Sequence, residues 1–356
     1  MKRVILINPL LNDRPTGMGV AGEGLCAVLP TEMMEASPGL DRLFRRVNRV
    51  RPLFLRQILR LAAAQMAPWI AGRTSILLFS SHHAPLWRTG RHVVIIHDLI
   101  ARNFPDQSRL QAQYYHRIMP RVVRSARLVM TISESMRAEL NEVFPGVPVA
   151  VIPSYSPRID SPAGAGLSLA ERQRGGVIGV VGAGYPHKNL GLVMAACAQL
   201  HSAGVFRPIL SVAGCRRGLW PQLPVLETAG LATVRDYSSA AELDELYRTS
   251  LALVYPSLAE GQGLPPLEAM AAGCPVICAD IPVLRETCGE AAFYIDPHDP
   301  AVLADLLEKM ATGKIDTEIE QRRAVGRTRV EAFRAAVLRE RWRNFLQEFS
   351  CHPSCL

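Results

Sequence analysis

The chain has 356 residues, 49% hydrophobic and only 20% charged, which excludes a disordered protein and leaves ample material for large cores. That length suggests two domains of ordinary size. Forty Lys and Arg against 32 Asp and Glu give a net charge of +8, suited to anionic partners such as phosphorylated small molecules, anionic lipid or nucleic acid.

The opening run MKRVILINPLLNDR imitates a signal peptide. Asn8 and Pro9 interrupt it and no small-residue cleavage site follows, so it is read as a first β-strand. Next comes GMGVAGEGL, residues 17–25. Its glycines are expected to form a loop between strand and helix, where backbone N–H groups can approach a phosphate. The spacing is not that of the G-x-G-x-x-G dinucleotide fingerprint.

Residues 42–60, RLFRRVNRVRPLFLRQILR, carry seven arginines and no carboxylate, with Leu, Phe, Val and Ile between them. Such a basic amphipathic segment reads either as a membrane-surface helix, with Arg45, Arg46 and Arg49 facing the lipid, or as a solvated helix packed on the first domain. No Tyr or Trp interleaves the arginines, which argues against nucleic acid. The apolar stretch LAAAQMAPWIAG that follows is far short of the roughly 20 residues needed to span a bilayer.

Short β-branched runs alternate with longer amphipathic segments throughout, the pattern of a parallel-sheet α/β fold. Strands are predicted at 3–8, 75–80, 92–97, 127–132 and 149–153, then at 177–182, 208–214, 232–237, 251–257 and 275–280. A Pro/Gly/Ser-rich stretch separates the two series. The predicted divisions are a first domain over 1–160, a linker over 161–176, a second domain over 177–330, and a C-terminal helix in 331–356 that packs back on the first domain. One charged helix is expected over roughly 318–349, with Trp342, Phe345 and Phe349 available to pack.

In doubly wound sheets ligands bind beyond the C-terminal ends of the strands, so the residues there carry the functional expectations. VVIIHDL places His97 and Asp98 at one such end. VGAGYPHKNL places Lys188 at a helix mouth after Gly182 and Gly184, a natural phosphate cradle. EGQGLPPLEAMAAGCPV sets Glu260 in a Gly-x-Gly loop and Glu268 after two prolines that open a helix. Glu268 near that N-terminus could simply satisfy the helix dipole, whereas Glu260 is free to face a ligand, and a carboxylate accepts paired hydrogen bonds from sugar hydroxyls. Eight cysteines are scattered, mostly in apolar runs, as reduced thiols of a cytosolic protein are; the tail CHPSC lacks a second pair of ligands for a metal.

Together, in this order, IHDL, TISESMRAEL, PHKNL, DYSSAAELDELYRTS and EGQGLPPLEAMAAGCPVICAD resemble the retaining family-4 glycosyltransferases of the GT-B fold, over nearly the whole chain and most specifically over 177–297. The resemblance implies two Rossmann-like doubly wound parallel-sheet domains facing a central cleft. It implies transfer of a sugar, mannose from GDP-mannose by preference, to a glycan or polyprenyl-diphosphate-linked acceptor in bacterial exopolysaccharide or lipopolysaccharide synthesis. Glu260 would hold the donor sugar, with Gly261, Gln262, Gly263 and Leu264 beside it, and Glu268 the ribose. Lys188, with help from His187 and the Gly17–Gly19 loop, would neutralise the donor diphosphate. His97 would line the sugar and β-phosphate, and Tyr237 and Ser238 would frame the base. No metal or other cofactor is implied, and no D-x-D motif occurs. Ala183 and His187 stand where many members carry an arginine, and Gln262 where an aromatic is common. The implied place is the cytoplasm, in peripheral contact with an anionic membrane. The alternatives are rhamnosyl or glucosyl transfer, or a sugar-nucleotide epimerase of the same fold.

Overall fold

The computed structural model describes residues 3–8, 17–160, 166–236 and 239–351, without the side chains of 17–20, 53, 217 and 351. Tyr237, Ser238 and the end of the CHPSC tail therefore lie outside the described residues. The chain divides into two compact units, one of Met1–Ser156 with Phe333–Leu356 and one of Pro157–Ala332.

The first unit contains β1 (Val4–Ile7), α1 (Gly17–Val28), α2 (Pro38–Asn48), α3 (Leu53–Ile70), β2 (Ile76–Phe79), β3 (His92–Ile95), α4 (Ile100–Asn103), α5 (Arg109–Arg117), α6 (Met119–Ser125), β4 (Leu128–Thr131), α7 (Glu134–Val143) and β5 (Val149–Val151). All five strands run parallel in the order β1-β2-β3-β4-β5. The period-2 alternation of side chains divides them between two cores. Ile5, Ile7, Leu77 and Phe79 pack with Phe44 and Ala64 of α2 and α3, while Val4, Ile76 and Leu78 pack with Leu25 and Val28 of α1. Onto this second face lies the C-terminal helix (Ala335–Cys351), which buries Leu338, Trp342, Leu346 and Phe349. Arg127 holds its end, with its guanidinium 4.0 Å from the Phe349 ring centre and its Nη2 donating to the Phe349 carbonyl at 3.3 Å.

Three sequence expectations are corrected here. The glycines of 17–25 are not a loop: Gly17 and Gly19 open α1, and Gly22 and Gly24 lie within it. Gly24 serves packing, since a Cβ there would stand 2.1 Å from the Tyr155 carbonyl oxygen. The arginine-rich segment 42–60 is two helices, broken between Asn48 and Leu53. The single terminal helix becomes two, Asp316–Glu331 and the C-terminal helix, separated at 332–334, where the chain passes from one unit to the other.

The second unit contains α8 (Leu169–Gly175), β6 (Val177–Val181), α9 (Leu190–Ala203), β7 (Ile209–Ala213), α10 (Leu223–Thr228), β8 (Ala232–Arg235), α11 (Ala240–Thr249), β9 (Ala252–Tyr255), α12 (Leu264–Ala271), β10 (Val276–Ala279), α13 (Pro282–Cys288), β11 (Ala292–Ile295), α14 (Pro300–Ala311) and α15 (Asp316–Glu331). Its six parallel strands follow the order β11-β10-β9-β6-β7-β8, so the winding reverses between β6 and β9. The predicted linker is partly structured. Ser168 and Glu171 form a reciprocal capping box that starts α8. Arg172 from that helix is fully buried and donates to the carbonyls of Leu167, Tyr247 and Ser250, fixing α8 to the unit.

Trp342 is 3% exposed and fills the core beneath the first sheet. Trp342→Ala is expected to cost about 3–5 kcal/mol, as other large-to-small changes at buried aromatics do. Denaturant unfolding followed by circular dichroism measures it; a loss under about 1 kcal/mol would mean that the C-terminal helix is not part of this core.

Candidate active site at the switch point of the second sheet

Where the strand order reverses, the loops following two adjacent strands diverge and leave a crevice outside their C-terminal ends. In the second sheet those strands are β6 and β9. Lys188 follows the first and Glu260 the second. Their side chains meet, Lys188 Nζ to Glu260 Oε1, at 2.5 Å.

The backbone fixes this meeting. After β6, Gly182 at φ 84° turns the chain, and its N–H donates to the Ala213 carbonyl at 2.8 Å. A short 3-10 turn, Pro186–Lys188, then leads through Asn189 at φ 55° into α9. Asparagine tolerates this left-handed conformation better than most residues. Asn189 Nδ2 donates to the carbonyls of Pro256 at 3.3 Å and Pro297 at 2.7 Å, so it anchors the turn to the segments beyond β9 and β11. The Leu258 N–H adds a 2.8 Å bond to the His187 carbonyl. Asn189 belongs to the PHKNL motif, yet its role depends on carbonyls distant in sequence.

Electrostatics follow from this geometry. Burial alone would raise the Glu260 carboxyl, but the Lys188 ammonium and hydrogen bonds from Lys188, Tyr255 and Ser257 outweigh it and hold the group below its ordinary value. Glu260 is thus an ionised, acceptor-only group in a largely buried site. Lys188 also reaches the Tyr255 hydroxyl at 3.2 Å. His187 does not supply the cationic help expected of it. Burial, and then the Lys188 charge beside it, push its pKa down to about 4, so it is neutral near pH 7. The nearest turn offers another cation. Arg216, after β7, lies with its guanidinium 4.8 Å from the Tyr185 ring centre, and its stem passes beside Gly184, where a Cβ would stand 4.0 Å from Arg216 Cγ. Sequence reasoning missed Arg216 because only strand pairing brings 182–188 beside 214–216.

The rest of the glutamate segment is built for rigidity. Gly263 has φ 111°, and a Cβ there would stand 2.8 Å from Leu284, so the entry to α12 requires glycine. Gln262 is buried at 3% exposure, its carbonyl accepting from Thr287 Oγ1 at 2.7 Å. Glu268 is not at the mouth of α12. It is the fifth residue of the helix, and no acidic residue occupies the first turn, so relief of the helix dipole does not explain it. It is 7% exposed, Oε2 accepting from the Tyr247 hydroxyl at 2.9 Å while Oε1 lies 3.9 Å from Arg158 Nη1. Tyr247 and Arg158, neither singled out from sequence, position this carboxylate.

His97 belongs to the first unit. It stands beyond β3, its Nε2 bonded to the Ser80 carbonyl at 2.8 Å, beside a cavity lined also by Thr131, Ser154 and Tyr155. Burial lowers its pKa, opposed by the Ser80 hydrogen bond and by Asp98. Gly17 and Gly19 form the first turn of α1 in the same unit. Arg45, Arg46 and Arg49 lie exposed on and just after α2, whose Leu40, Phe44 and Val47 face the core.

Comparison with known proteins agrees with this layout. Residues 168–328, which span the switch point and both glutamates, match the family "Glycosyl transferases group 1". The O-antigen chain mannosyltransferase RfbU of Salmonella typhimurium is 28% identical over 240 residues, 65% of this chain and 65% of that protein. The O-antigen chain mannosyltransferase B of Escherichia coli is 29% identical over 238 residues, 63% of this chain and 62% of its own length. The match thus spans less than two thirds of either relative. Among solved structures, WaaG, a glycosyltransferase involved in lipopolysaccharide biosynthesis, superposes with a TM-score of 0.67 over 96% of this chain and 98% of its own, at 15% identity, a likeness of fold. With two parallel-sheet units, the chain has the GT-B fold of this solved glycosyltransferase, and its second unit carries the region similar to glycosyl transferases group 1.

Proposed function

We propose that the chain is a retaining glycosyltransferase that moves mannose from GDP-mannose to a glycan or a polyprenyl-diphosphate-linked acceptor in the synthesis of a bacterial surface polysaccharide, lipopolysaccharide above all. The observation that carries this reading is the ionised Lys188–Glu260 pair at the switch point. A cation there meets the negative charge that builds on a leaving nucleoside diphosphate. A carboxylate beside it accepts hydrogen bonds from the hydroxyls of the departing sugar. The mannosyl preference draws on the two O-antigen relatives. Among the described residues no helix is long and apolar enough to cross a membrane, so contact with a lipid-linked acceptor would be peripheral.

Charge balance refines the donor site. Glu260 already offsets Lys188, and His187 is neutral, so a diphosphate needs further positive groups. Arg216 supplies one in this reading, standing in for the arginine that resembling enzymes carry near the lysine. Glu268, gripped by Tyr247 and Arg158, takes the ribose.

Glu260→Gln and Lys188→Ala are each expected to lower mannosyl transfer by about 10²-fold or more. Lys188→Ala leaves a buried carboxylate without its partner, which is destabilising in itself. The double variant, which removes both charges, should therefore melt nearer to wild type while staying inactive. Turnover near wild type in any of the three would refute the assignment. Arg216→Ala should raise KM for the donor about 10-fold, the loss of one charge-assisted hydrogen bond, with a smaller effect on kcat; an unchanged KM would remove Arg216 from the site. Transfer should continue in EDTA, because lysine and arginine carry the leaving-group charge; a strict Mg²⁺ or Mn²⁺ requirement would contradict this part of the proposal.

A further inference from the structure

The helix α3 is turned inside out relative to an ordinary surface helix. Its buried side consists of Ala63, Ala64 and Ala67, with Arg60. Its exposed side carries large apolar residues: Phe54 is 54% exposed, Ile58 58%, Met66 53%, Trp69 75% and Ile70 42%. Positions 54, 58, 62, 66 and 69 follow the helical repeat, so these side chains form one stripe rather than scattered contacts. Trp87, from the loop before β3, extends it, 41% exposed with its ring centre 6.0 Å from that of Trp69.

Arginines predominate in the segments around the stripe, with Asp41 of α2 the exception. Arg45, Arg46, Arg49, Arg51, Arg73 and Arg88 are exposed. Residues 42–97 contain ten arginines and no Asp or Glu. An apolar strip that ends in a tryptophan pair, within a segment rich in cations, is complementary to the boundary between acyl chains and anionic headgroups. Tryptophan concentrates at that depth, and amphipathic helices lie in that plane.

We propose that α3 and Trp87 form a bilayer-inserting edge of the first unit, with Phe54, Ile58, Met66 and Trp69 entering the acyl boundary and the arginines of the surrounding segments binding lipid phosphates. Arg45, Arg46 and Arg49 thereby become an electrostatic attachment beside the inserting element rather than the element itself. For its purpose this rests on the reading of the acceptor as lipid-linked, but its test needs neither donor nor acceptor.

The test is sedimentation of the purified chain with vesicles of phosphatidylcholine containing about a third phosphatidylglycerol, at low and high salt. Wild type should pellet, and a fraction should stay bound at high salt, because insertion is not screened. Phe54→Ser/Ile58→Ser/Trp69→Ser should lower partitioning by about 10²-fold or more and leave no salt-resistant fraction, with melting unchanged since all three sites are exposed. Trp69→Ser alone should lower it by about 10-fold. Arg45→Glu/Arg46→Glu/Arg49→Glu should weaken binding chiefly at low salt. Brominated acyl chains should quench Trp69 and Trp87 and spare the buried Trp342. Equal pelleting of wild type and the serine variants would overturn the proposal, as would complete release of wild type by salt. A dimer that the serine variants dissociate, with no vesicle binding by wild type, would assign the stripe to a second copy of the chain and also overturn it. If vesicle binding behaves as expected while no mannosyl transfer is found, the edge stands and the proposed reaction falls.

Discussion

The reversal of strand order between β6 and β9 is the constraint on which the rest of the site depends. It places the ends of two central strands side by side, and it brings together two residues, Lys188 and Glu260, that lie 72 positions apart. Burial works against the charge on Glu260, and Lys188, Tyr255 and Ser257 outweigh it, while Asn189 anchors the turn that carries Lys188. The pair is therefore a charge arrangement held in place by the fold, each member of which has a donor group to receive in the proposed reaction. Preorganisation of this kind is the largest contribution that a protein makes to stabilising a charged leaving group.

Much of this was legible in the sequence. The strands announced themselves as β-branched runs, and all ten predicted ones form, because parallel strands buried on both faces are locally apolar. β11 was passed over: AFYI is short and follows a Gly-containing turn, and it becomes a strand only by pairing with β10. Lys188 and Glu260 were found because they stand after strands of the second series, Glu260 in a Gly-x-Gly loop, and because five motifs in order carry the resemblance; a lysine at a helix start is commonplace by itself. Arg216, Tyr247 and Arg158 were not, because their importance arises from sheet pairing and from contacts across the fold that no local pattern records.

The misreadings share a cause. Glycines at 17–24 suggest a loop by composition, yet the chain uses them in a helix, where Gly24 lets the backbone approach Tyr155. Arginines at 42–60 suggest one amphipathic helix, yet two helices divide the labour. α2 follows the ordinary rule, apolar residues inward and arginines outward, while α3 inverts it. Composition reports how much apolar surface a segment carries; which way that surface faces is decided by the neighbouring sheet, here already filled by Phe44, Leu77 and Phe79.

The central claim is that Lys188 and Glu260 receive the diphosphate and the sugar of one donor. The most direct measurement is a crystal structure with GDP-mannose, or with guanosine diphosphate where the sugar is lost. The account predicts a phosphate oxygen within about 3 Å of Lys188 Nζ, with the Glu260 carboxylate facing the sugar or the space it vacated. A nucleotide bound elsewhere, with Lys188 still paired to Glu260 alone, would contradict it.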